Sequence, residues 1–272
     1  MLDTPGILPH LVCTVLYAAV AYRLYQTLNR EASAREMNLL RWVVLLPLAV
    51  HTWLLYRTIF IGGNMYLGVG SSISAIIWLT VLIYWLGSFY YHLETLQVFI
   101  LAASALLVLF PIALPAVRPL PHTGLTAFRL HLLISLVAFS LFTIASLQAL
   151  MMAVLERRLH TASLPKYLRS LPPLLTMEKL LFQIISAGFI LLTLTVGSGM
   201  VFSEELFGRP LQFTHKIVFG ILAWIIFALL LIGRQVYGWR GRLALRWTLA
   251  GFLALVLAYI GSKFVLEFVL KR

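Results

Sequence analysis

Long apolar runs, each close to the length of a membrane crossing and separated by short polar or basic breaks, dominate the chain. A helix needs about 20 residues at roughly 1.5 Å each to cross the hydrocarbon core of a bilayer. Runs of that length cover residues 7–25, 39–57, 70–91, 95–114, 126–152, 180–200, 214–233 and 242–266. Bare backbone amides and carbonyls are not tolerated in lipid, so each run is predicted to be a helix. The pattern therefore predicts an all-α fold: a polytopic transmembrane bundle of eight spans, forming a single membrane domain over residues 1–272. FYYHLET, between the third and fourth spans, leaves room only for a tight turn. IFIGGNMYLGVGSS, after the second span, suits a close-packed turn, and PIALPAVRPLPHTG, with four prolines, suits an extended, stiff segment.

Composition strengthens the same picture. The chain is 61% hydrophobic and 11% charged, with a mean hydropathy of +0.96, whereas a soluble domain is nearer half apolar and a quarter charged. So few charges cannot cover that much apolar surface in water, and the bilayer must be the solvent. The lone cysteine, Cys13, excludes an internal disulfide framework, a cysteine-rich metal site and covalent CxxCH haem attachment. It lies within the first apolar run, where packing explains it. A net charge of +12 would suggest nucleic acid if the bases clustered on a soluble face. Here they punctuate apolar runs, so they read as topology determinants, and no nucleic-acid partner is expected. With the N-terminus outside, 13 Lys and Arg fall on the inside and 8 on the outside. Both termini are therefore expected on the extracytoplasmic side. MLDTPGILP carries Asp3 and no base, the wrong sign for a signal-peptide n-region, so the first run is expected to persist as a helix.

Ionisable groups at membrane depth are costly and mark candidate sites. They are His51, His131, His215, Glu94, Lys216 and Lys263. His131 lies just inside the fifth span, His215 opens the seventh, and His51 lies six residues, roughly 9 Å, from the outer end of the second. The predicted topology brings all three to the outer part of the membrane. Neutral imidazole is an axial ligand for haem iron, and two on facing helices can hold a haem between them. Hydrogen bonding within the bundle is the alternative role for each. Arg129, with Arg57 and Lys216 at comparable depth, suits either a haem propionate or headgroup phosphates. Trp224, with Trp53 and Trp78, lies deep enough to line a flat ligand or simply to pack between helices. Glu94 suits the N-terminus of the fourth span, and Lys263 with Glu267 forms an i,i+4 pair. HExxH, CxxC, GxGxxG and a serine triad are all absent, so no enzyme chemistry is expected.

Two segments carry a resemblance. FRLHLLISLVAFSLFTIASLQALMMAVLERRL and THKIVFGILAWIIFALLLIGRQVYGWRGR, with ETLQVF from Glu94, resemble the cytochrome c assembly family of membrane proteins, the CcsA, CcmC and HemX group. The likeness covers roughly residues 70–265 and is strongest to the small bacterial subgroup typified by YpjD and HemX. It implies a multi-pass protein of the bacterial cytoplasmic (inner) membrane, and it places His131 on the family's first external haem-ligating position. Lys216, Trp224, Arg234 and the GWRGR turn are in register. Two departures stand out. The family's haem-presenting synthases carry a WGxxWxWD-like segment, but SGMVFSEELFGRPLQFTHK has no tryptophan. The second external histidine is missing from YIGSKFVLEFVLKR, and His215 replaces part of an Asp-Pro-Lys sequence.

The leading expectation is a protein that binds or handles haem b non-covalently and assists cytochrome c or respiratory-complex assembly. His131 and His215 are the candidate iron ligands and His51 the substitute. Lipid, haem and another membrane or cytochrome-maturation protein are the expected partners. One alternative is a cofactor-free membrane partner or regulatory protein. Another is a small-molecule or ion transporter using the intramembrane charges, although no pair of Gly/Pro-broken spans is evident.

Overall fold

The computed structural model describes residues 6–30, 33–91, 93–116, 118–160, 171–207 and 215–261. Among them, eight helical segments are long and apolar enough to cross a membrane. They are Ile7–Arg30, Ala34–Ile59, Val69–Gly87, Glu94–Ala113, Thr126–Arg158, Leu174–Met200, His215–Val236 and Gly241–Tyr259. Each coincides with one predicted span, and the all-α, polytopic architecture follows.

Two of the spans are not single helices. The second consists of α2 (Ala34–Val43) and α3 (Leu45–Ile59), broken at Val44. Pro47 explains the break, because it has no N–H to give the preceding turn and its ring crowds that turn's carbonyl. The fourth consists of α5 (Glu94–Leu107) and α6 (Phe110–Ala113), with Pro111 in the first turn of the short piece, where a missing N–H costs nothing. The start of the proline-rich segment is thus helical rather than extended, and the helix ends at Leu114. The remaining spans are α1 (Ile7–Arg30), α4 (Val69–Gly87), α7 (Thr126–His160), α8 (Leu174–Phe207), α9 (His215–Val236) and α10 (Gly241–Val256). A five-residue π-helical turn, Leu257–Gly261, continues α10.

The helices form two compact units: Met1–Pro121 with Arg157–Pro172, and His122–Glu156 with Pro173–Arg272. In the first, α1 touches α3 and α5, and α4 touches the same two, which closes a four-helix ring. Its core includes Tyr17, Leu54, Ile100 and Leu101, all essentially inaccessible. A hairpin joins α3 to α4, with strands β1 (Phe60–Ile61) and β2 (Asn64–Met65) paired antiparallel. Its two-residue turn needs positive φ at both positions, which Gly62 and Gly63 supply at 56° and 79°. Leu120 then donates its N–H to the Met65 carbonyl at 2.7 Å, so the proline-rich segment docks on the hairpin. Gly70 permits the closest approach in this unit: a Cβ there would lie 2.5 Å from the Leu114 carbonyl oxygen and closer still to that of Phe110.

The second unit is held by aromatic stacking. Phe142 of α7 stacks on Phe227 of α9 with ring centroids 4.0 Å apart. Gly188 of α8 lies against the outer face of Phe142 and Gly251 of α10 against Phe227. The resulting sandwich of glycine, two rings and glycine ties four helices together at one level. Helix packing in lipid depends on such small-residue contacts, because apolar burial gains little there. Hydroxyl side chains in the spans, such as Thr80, Ser104 and Thr248, donate to the carbonyl four residues back. They reach lipid depth already satisfied.

Candidate functional site

One end of the second unit gathers the sequence-predicted residues. His131 is the sixth residue of α7, Ser198 lies in the C-terminal third of α8, and His215 and Lys216 open α9. His131 is half-buried, and its Nδ1 lies 2.8 Å from Ser198 Oγ. Gly199 faces the ring edge, where an added Cβ would sit 3.6 Å from Cε1, an ordinary contact. The Lys216 ammonium lies 5.8 Å from the ring centroid of Tyr259 in the π-helical turn. His215 is exposed at the same end.

The other predicted residues are placed differently. Arg129 is exposed, and its Nε donates to the Thr123 carbonyl in the preceding turn. Trp224 donates from Nε1 to Thr193 Oγ1 at 2.9 Å and stacks on Phe189. Thr193 precedes Ser198 by five residues, so Trp224 packs about 7 Å further along α8 than the histidine. His51 belongs to the first unit and is fully buried, with Tyr17 Oη 3.0 Å from Nδ1 and Ser74 Oγ 2.8 Å from Nε2. Both of its ring nitrogens are engaged by hydroxyls, the bundle-internal role open to it from sequence. Glu94 starts α5 and, with Arg41, Ser88 and Gln97, lines a small cavity in that unit. Lys263 and Glu267 lie outside the described residues.

Among the described residues no group of three or more His, Cys, Asp or Glu side chains is arranged to hold a metal ion. A bare ion therefore has no cage. Haem iron is less demanding, because the porphyrin fills four positions and one or two imidazoles complete the set. His131, with His215 and Lys216 at the same end of the unit, fits that smaller requirement.

Glu178 was not singled out from sequence, yet it anchors the opposite end of the unit. Its carboxylate is 2.7 Å from Arg234 Nη1 and 3.0 Å from Arg240 Nε, and accepts the Gly241 N–H at 3.3 Å. Arg234 also lies over the Phe182 ring at 4.7 Å, and Trp239 covers Gly233 in the turn between α9 and α10. Nearby, Arg242 pairs with Glu156 at 2.9 Å. An acid among the many bases that flank these spans, as Glu156 also is, was the available signal.

A family model described as "Cytochrome C assembly protein" matches residues 38–270. The chain is similar to "Inner membrane protein YpjD" of Escherichia coli (strain K12), at 34% identity over 139 residues, 51% of this chain and 52% of that one. It is also similar to "Cytochrome c biogenesis protein CcsA" of Chlamydomonas reinhardtii, at 26% over 138 residues, 51% of this chain and 38% of that one. The protein of that name from Prochlorococcus marinus (strain NATL1A) is 32% identical over 85 residues, 31% of this chain and 27% of that one. The chain spans about half the length of the first of these relatives, and less of the others.

Proposed function

We propose, because the chain belongs to the cytochrome c assembly family, that it is a multi-pass protein of the bacterial inner membrane that handles haem during cytochrome c biogenesis. His131 serves as an axial ligand to haem b held without a covalent link, with His215 as the candidate second ligand and Lys216 as the cation for a propionate. Both termini face the extracytoplasmic side, which puts His131 in the outer part of the membrane and the Glu178 end inside. The concentration of bases near the Glu178 end, among them Lys179, Arg234, Arg240, Arg242 and Arg246, supports that orientation through the positive-inside rule. The protein acts by binding and presenting its cargo, and no enzymatic step is assigned to it.

The observation that carries this reading is His131 itself: a half-buried imidazole with Nδ1 tied to a hydroxyl. Ligating histidines usually have their second nitrogen anchored in this way. The names of the relatives, an inner-membrane protein and a cytochrome c biogenesis protein, support location and process.

The test is the absorption spectrum of the full chain purified from haem-replete cells. A Soret band is expected, and His131→Ala should weaken it strongly. A well-folded protein with no Soret band, or a band indifferent to His131→Ala, overturns the reading.

A further inference from the structure

We infer that Ser198 is a positioning residue that holds His131 with its proton on Nδ1, so that Nε2 is the nitrogen that carries the lone pair. The ligation part of this inference rests on the haem-handling reading. The tautomer part rests on hydrogen-bond direction alone.

A serine hydroxyl has one proton to donate. Ser198 Oγ lies 2.6 Å from the Leu194 carbonyl oxygen and 3.3 Å from that of Thr195. Carbonyl oxygens only accept, so the hydroxyl proton is committed to its own helix. Toward His131 the oxygen can only accept, and the 2.8 Å contact must be Nδ1–H donating to Ser198 Oγ. In a neutral imidazole the other nitrogen is then unprotonated.

The same arrangement recurs where the donor is unambiguous. Thr193 donates to Phe189 O and accepts from Trp224 Nε1, which can only donate. Thr52 donates to Leu48 O and accepts from Trp78 Nε1. His131 takes the place of the indole in the third such pair. His51 provides the contrast. Its hydroxyl partners, Tyr17 and Ser74, each have a proton not committed to a backbone carbonyl among the described contacts, so either direction around that ring is allowed.

The consequence is chemical. Iron ligation requires the unprotonated nitrogen, and a hydrogen bond on the other nitrogen fixes both ring orientation and basicity. Ser198 would thereby set the strength of the His131 ligand without touching the haem.

Nitrogen-15 NMR of the histidine-labelled full chain in nanodiscs, with the His131 signals assigned by their loss in His131→Gln, reads the tautomer with no haem present. The wild-type protein should show the Nδ1–H form. Ser198→Ala should lose that preference, and Ser198→Thr, which keeps the hydroxyl, should restore it. A wild-type protein in the Nε2–H form overturns the inference without any variant, and so does a folded Ser198→Ala protein with an unchanged tautomer.

Haem titration of the same samples gives the second readout. Ser198→Ala should weaken binding by about 10- to 100-fold, the usual cost of losing such a partner, with Ser198→Thr close to wild type. Equal affinity in Ser198→Ala and wild type overturns the ligand-tuning part. A wild-type protein in the Nδ1–H form that binds no haem supports the tautomer assignment and overturns the haem reading instead.

Discussion

Removing the Glu178 carboxylate should destabilise the second unit more than any other single charge deletion among its described ion pairs. The carboxylate is 8% exposed and receives Arg234 at 2.7 Å and Arg240 at 3.0 Å. It also takes the Gly241 N–H, one of the unsatisfied donors at the start of α10. Hydrogen bonds to an ionised group contribute about 1.5–3 kcal/mol each, but desolvating the carboxylate offsets several kcal/mol of that sum. Breaking a fully buried pair costs about 3–5 kcal/mol, because the survivor is stranded. Here the survivors can reach water, since Arg234 is 28% and Arg240 56% exposed. The expected cost of Glu178→Ala is therefore smaller, about 2 kcal/mol.

Thermal unfolding of the detergent-solubilised full chain measures this. For a chain of this size that cost corresponds to a fall in Tm of about 4–8 °C. Glu178→Gln keeps an acceptor oxygen and should fall between Ala and wild type. The control is Glu156→Ala, whose pair with Arg242 is 30% and 65% exposed; such a pair contributes less than about 1 kcal/mol. Raising the ionic strength should narrow the Glu156 effect and leave most of the Glu178 effect in place, because buried pairs are screened less. If Glu178→Ala lowers Tm no more than Glu156→Ala, the reasoning that burial sets the difference is wrong.

The packing carries three more expected outcomes. Gly70→Ala forces a Cβ onto the carbonyls of Phe110 and Leu114; backbone atoms cannot swing aside, so a loss of about 1–3 kcal/mol or more should appear as a lower Tm. Gly251→Ala places a Cβ 2.7 Å from the Phe227 ring and should cost about 1–3 kcal/mol by disturbing its stack on Phe142, with Phe227→Leu in the same chain restoring part of the Tm. Tyr17→Phe leaves a buried nitrogen of His51 without its hydroxyl partner and should cost about 1–3 kcal/mol. Because the candidate ligand His131 belongs to the second unit, the same variant should leave any Soret band unchanged in position and intensity per folded protein.

The eight spans were legible because lipid imposes one simple demand, a long apolar helix, and every run meets it on its own. Breaks within spans were legible in principle from Pro47 and Pro111, whose effect is also local. Pairings between spans were not. Glu178 meets Arg240 across 62 residues, and nothing in either local sequence states the register that joins them. Ser198 was hidden for a different reason: serine and threonine are frequent in these spans, and most of them simply bond their own helix. What distinguishes Ser198 is a second bond, which exists only because α7 and α8 put His131 level with it.

The histidines show how far depth alone can mislead. Membrane depth grouped His51 with His131, yet the two rings differ in what their hydroxyl neighbours can still donate. Ser198 has already given its proton to Leu194, so His131 must be the donor and its tautomer is set. The hydroxyls around His51 occupy both of its nitrogens, and a nitrogen already in a hydrogen bond reaches a metal only by giving that bond up. A membrane-buried histidine is therefore better judged as a ligand by where its neighbours' protons go than by how deep it lies. On that criterion His131 carries its lone pair on Nε2, and His51 is a ring that joins helices.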